Sequence, residues 1–88
     1  MAWRVEFTDI AVRTISKLDT DVRKRINTFF RERITKTDDP IAIAEPLYGE
    51  FRGLWRFRIG DYRAICDIQR KQLTVLVLNV GHRREIYR

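Results

Sequence analysis

Cysteine is almost missing from this chain. Cys66 is the only one in 88 residues, which excludes an internal disulfide framework and a cysteine-built zinc site. Histidine is as scarce: His82 stands alone, so the chain has neither a two-histidine acid/base pair nor a histidine-rich metal site. The 4 glycines are scattered and make no phosphate-cradling loop. Asp61, Asp67 and Glu85 are equally scattered, with neither paired-carboxylate nor metal-ligand spacing, so neither a metal nor a cofactor is expected. Long hydrophobic runs are missing too. The longest, residues 73–80, is broken by Thr74 and Asn79 and is far too short to cross a bilayer. Residues 1–7 lack the apolar core of a signal peptide. No membrane association is expected, and the expected compartment is the cytoplasm.

What the chain has in plenty is arginine. Of 18 basic residues 14 are arginine and 4 lysine; 12 acidic residues leave a net charge of +6. Such a balance favours an anionic partner. Arginine adds a planar fork that grips phosphate or carboxylate bidentately and stacks on flat rings. Apolar residues make up 44% of the chain, enough for a true core, and the length predicts a single domain over residues 1–88.

Residues 3–7 alternate apolar and polar, which predicts a strand. Thr8 or Asp9 offers a helix cap, and Ala11, Val12, Ile15 and Leu18 follow at helical spacing. After a second cap at residues 19–21, Val22, Ile26, Phe29, Phe30 and Ile34 form a stripe of period 3.6. Residues 41–53 read as an irregular connection with room for a helical turn at 41–44, pinned by Ile41, Ile43, Leu47 and Tyr48. Three strands follow, over 54–59, 62–68 and 73–80, the first two joined by the turn pair Gly60-Asp61. The expected fold is α+β, of order β-α-α-β-β-β. A helical hairpin packs on one face of a small, mainly antiparallel four-stranded sheet.

Residues 1–46 carry a net charge of +1 and residues 47–88 carry +5. Arg56 and Arg58 lie two apart and so share a sheet face, opposite Trp55, Phe57 and Ile59. The hairpin turn brings Arg63 back beside Arg58, and Arg83 and Arg84 follow the last strand. Such a cluster suits an anion. RNA brings its own nucleophile, the 2′-hydroxyl, and cleavage then needs a proton acceptor, charge for the developing oxyanion and a proton for the leaving oxygen. Arginine serves the second need well and the first poorly.

These residues resemble the RelE family of bacterial toxins from type II toxin–antitoxin systems, in the RelE/ParE superfamily. The resemblance lies in Leu-Trp-Arg-Phe-Arg-Ile-Gly-Asp-Tyr-Arg-Ala-Ile-Cys at 54–66, Val-Gly-His-Arg at 80–83, the terminal Glu-Ile-Tyr-Arg, and Pro-Leu-Tyr-Gly at 46–49. It covers essentially the whole chain. It implies a metal-independent endoribonuclease that cuts messenger RNA in the ribosomal A site. It implies roles for Arg56 and Arg58 as the basic pair, Arg63 on the scissile phosphate, Arg83 as leaving-group acid or charge stabiliser, and Tyr87 stacking on a base. Where the family's best-known members have lysines, this chain has Arg56 and Arg58, so the proton acceptor is open among water, rRNA and a substrate oxygen. His82 is a candidate acid/base. Arg23, Arg25, Arg31, Arg33 and Arg84 are candidate rRNA contacts, with a solvated face as the alternative for those on the helix. Implied partners are the ribosome, mRNA and a small cognate antitoxin with an acidic C-terminal segment, through which alone DNA is reached. Two other activities stay open on the same scaffold: a ParE-like gyrase poison and a catalytically inactive antitoxin-binding module.

Overall fold

The computed structural model describes residues 2–86. The elements run β1 (Arg4–Phe7), α1 (Asp9–Ser16), α2 (Thr20–Thr28), β2 (Glu45–Pro46), β3 (Trp55–Ile59), β4 (Tyr62–Gln69) and β5 (Thr74–His82). Strand order is β1-β5-β4-β3-β2, with β1 parallel to β5 and all other pairs antiparallel. The α+β class and the helix-on-sheet arrangement are those expected. The difference is the fifth strand: Glu45 and Pro46 pair with Arg56 and Trp55 at the edge beside β3. Proline lacks a ladder donor, which suits this edge position.

Each local conformation has a cause in the sequence. Thr8 is the cap of α1; its Oγ1 accepts from Ala11 N at 3.1 Å and donates to Leu78 O at 2.8 Å, tying the helix start to β5. The helical stripe continues past α2 into a π-helical turn, Phe29–Ile34, in which Thr35 N donates to Phe30 O. This widening lets two consecutive aromatics face inward. Phe29 meets Phe57 at 5.6 Å between ring centroids, and Phe30 meets Phe7 at 5.6 Å edge to face. Ile26, Phe30 and Ile34 are buried from the helix side against Phe57, Ala64, Cys66, Val75, Val77 and Val80 of the sheet.

Two apolar residues depart from expectation. Val12 is 53% exposed, because Ala11 and Ile15 alone set the inner line of the short α1. Tyr48 is 78% exposed and does not pin the connection; Leu47 is buried as expected, its N–H on Leu54 O. The helical turn in that connection lies at Pro40–Ile43, capped by the Asp39 side chain. No helix among the described residues is long and apolar enough to cross a membrane.

Candidate active site

The β3–β4 hairpin positions the arginines. Gly60 opens its two-residue loop at φ 61°, while Asp61 keeps a negative φ, the sign pattern of a type II′ turn. The register that follows sets Arg58 directly opposite Arg63 and Arg56 opposite Ile65. On β5 the partner of Arg63 is Gly81. Arg56, Arg58 and Arg63 therefore share the sheet face away from the helices, since Phe57 and Ile59 between them are buried in the core.

The three differ in setting. Arg58 is the outermost, its side chain 64% exposed. Arg63 is only 8% exposed, and its Nη1 donates to Gly60 O at 2.8 Å and Tyr62 O at 2.9 Å. Its guanidinium is thus clamped to the hairpin tip. Arg83 is exposed but its backbone is fixed to the same tip, N–H to Asp61 O at 2.8 Å.

A carboxylate joins them that sequence reasoning missed. Glu45 Oε1 accepts from Arg56 Nε at 3.2 Å and forms an ion pair with Arg58, whose Nε lies 3.1 Å away. A strand of two residues has no alternation of its own to reveal it. The one local signal is Pro46, which holds the residue before it in extended backbone.

The remaining candidates separate. His82 pairs with Tyr62 and follows Val80 onto the helix-covered face, where its ring stands edge-on to Tyr62 at 5.6 Å. Its Nδ1 accepts from Arg84 N at 3.2 Å, and its carbonyl accepts from the N–H groups of Glu85 and Ile86. The ring therefore caps the terminal turn and faces away from the three arginines. That turn returns to the arginine face: a Cβ at Gly81 would lie 2.9 Å from Ile86 Cδ1. Arg84 is exposed on it, and Tyr87 lies outside the described residues.

The helix arginines fall on two sides of their helix. Arg25 and Arg33 line a cavity of about 500 Å³ together with Phe29, Glu32, Arg58 and Gly60. The Arg33 guanidinium lies 5.7 Å from the Phe29 ring centroid. Arg23 and Arg31 face grooves floored by Phe7 on the β1 side. Cys66 is buried; burial, and to a smaller degree the Asp67 charge, push its thiol far above the usual range. It plays no part in this site.

The arrangement has the chemistry an oxyanion requires: guanidinium donors on one hairpin, one of them held by backbone carbonyls. Comparisons with known proteins show the family and the fold. The model of the ParE toxin family, "ParE toxin of type II toxin-antitoxin system", matches residues 5–87. Toxin RelG of Mycobacterium tuberculosis is 32% identical over 88 residues, covering 100% of this chain and 99% of its own. The crystal structure of the toxin–antitoxin complex RelBE2 from the same organism contains a chain that superposes with a TM-score of 0.86 at 28% identity, over 97% of this chain and 95% of that one. The isolated Escherichia coli RelE toxin shares the fold, with a TM-score of 0.70 at 21% identity, over 98% of this chain and 92% of that one.

Proposed function

Because the chain belongs to the ParE toxin family of type II toxin–antitoxin systems, within the RelE/ParE superfamily, we propose that it arrests translation as a ribosome-dependent endoribonuclease acting on mRNA in the A site. The observation that carries the reading is the register pair Arg58–Arg63, with Arg56 on the same face and Arg83 tied to the same hairpin tip. The 2′-oxygen attacks the adjacent phosphorus, the bond to the 5′-oxygen breaks, and a 2′,3′-cyclic phosphate and a 5′-hydroxyl result. Arg63, already oriented by two carbonyls, faces the non-bridging oxygens, and Arg58 adds charge as the pentacoordinate centre forms. Arg83 stabilises or protonates the leaving oxygen. Guanidinium does not accept the 2′ proton near neutral pH; that proton goes to water or to an oxygen of rRNA or substrate. With no complete acid/base pair among the described residues of the arginine cluster, positioning by the ribosome supplies much of the rate.

The partner in this reading is a cognate antitoxin, since the RelBE2 structure is a toxin–antitoxin complex. An acidic segment of it would neutralise the arginine face, and the protein would act in the cytoplasm, where ribosomes are. The test is cleavage of mRNA on programmed ribosomes, mapped by primer extension, with wild type and Arg83→Ala. Cuts confined to the A-site codon with wild type, and at least about a hundredfold slower with Arg83→Ala, are expected. No cut with wild type would overturn the reading. A gyrase poison is the second reading, favoured by the family model that matches. Its signature would be DNA damage with protein synthesis intact at the onset of growth arrest.

A further inference from the structure

Glu45 reaches its position through the backbone. Pro46 keeps it extended, β2 pairs it with Arg56, and its side chain then sits beside Arg56 and diagonal to Arg58 on the same face. One oxygen, Oε1, receives the Nε–H of Arg56 and is ion-paired with Arg58, 3.1 Å from its Nε. A carboxylate oxygen held between two guanidiniums occupies the place in which an oxygen of a phosphodiester would meet the same two cations. It also brings a negative charge to within hydrogen-bond distance of any phosphate that approaches Arg58.

We propose that Glu45 is an internal competitor for the RNA phosphate, holding the Arg56–Arg58 pair closed until substrate displaces it, and so restraining the protein against RNA that is not delivered in place. The inference rests on the RNA reading above. It differs from it in naming a residue that opposes binding. Displacement is feasible because Glu45 is 41% exposed and Arg58 64%, so carboxylate and guanidinium can each exchange their partner for water or phosphate. Its effect should be largest on free single-stranded RNA. On the ribosome, fixed geometry raises the local phosphate concentration and overcomes the competitor.

The test uses the full chain and a short single-stranded oligoribonucleotide with 2′-O-methyl groups, which blocks the nucleophile and separates binding from chemistry. Fluorescence anisotropy is followed across a salt series for wild type, Glu45→Gln, Arg58→Ala and the double variant. Glu45→Gln is expected to bind about fivefold more tightly. The slope of log affinity against log salt should steepen by roughly 0.7, the counterion release of one further phosphate neutralised on a single strand. In the Arg58→Ala background the same substitution should give a smaller gain, since Arg56 alone is then released. Equal or weaker binding by Glu45→Gln would overturn the proposal. So would a variant that binds unchanged but loses cleavage on ribosomes, which would put the carboxylate in the chemistry instead. The ribosome assay with wild type judges the nuclease reading separately, so failure of one is not mistaken for failure of the other.

Discussion

Arg58 and Arg63 face each other across two strands, yet their removal should have different consequences. Arg63 is clamped on Gly60 O and Tyr62 O, and truncation would strip two charge-assisted bonds from the hairpin tip. Arg63→Ala is therefore expected to lower stability by about 1–3 kcal/mol as well as activity. Arg58 is largely exposed and holds only a surface ion pair, so Arg58→Ala should stay within about 0.5 kcal/mol of wild type while still impairing phosphate binding. Denaturant melts of both variants beside a cleavage assay check this, and equal stabilities would contradict it. A loss of toxicity in Arg63→Ala has to be weighed against its stability; Arg83→Ala removes only an exposed side chain and leaves its backbone bond to Asp61 in place. Cys66 gives a separate residue-scale expectation. It is 0% exposed and its thiol is pushed up by burial, so alkylation in native buffer should be slow and become rapid only above the denaturation midpoint.

At the scale of elements, Thr8 links a cap to the sheet. Its hydroxyl serves Ala11 N and Leu78 O together, so Thr8→Ala should cost about 1–2 kcal/mol and Thr8→Ser much less; urea midpoints of the two distinguish them. This cap, the helix stripe and all four long strands were legible in the sequence, because each follows from local periodicity or turn chemistry. So was the shared face of Arg56, Arg58 and Arg63, which needs only strand parity and the turn at Gly60. Other features come from tertiary packing and leave no local pattern. β2 exists because β3 offers it a ladder, and Glu45 joins the site through that pairing alone. The π turn answers the demand to bury Phe29 and Phe30 together, where period 3.6 describes the same residues as an ordinary helix. The strand at residues 73–80 extends in fact to His82, and the added pair sets the histidine beside Tyr62, away from the arginines.

For the whole molecule, a net charge of +6 matters through its distribution. The hairpin tip separates two basic surfaces. One is the sheet face with Arg56, Arg58 and Arg63; the other is the helix-side cavity with Arg25 and Arg33, which Arg58 also borders. Arg25 lies against Gly60, so close that a Cβ there would meet its Nη1 at 2.8 Å. A nucleic acid engaging the sheet face could continue round the tip toward Arg25 and Arg33. On the nuclease reading, the sheet face performs the chemistry and the helix side supplies docking. Arg25→Ala with Arg33→Ala should then weaken ribosome association about tenfold and reduce the salt slope by roughly 0.7–0.9 for each phosphate no longer neutralised. The rate of cleavage from a preassembled complex should change little, because neither residue faces the scissile phosphate. Pelleting with ribosomes across a salt series gives the first quantity and single-turnover cleavage gives the second. If association is unchanged, Arg25 and Arg33 are solvated charges, and the groove they line does not touch the ribosome. If cleavage falls while association holds, the cavity lies within the reacting site, and the division between docking and chemistry at the hairpin tip is wrong.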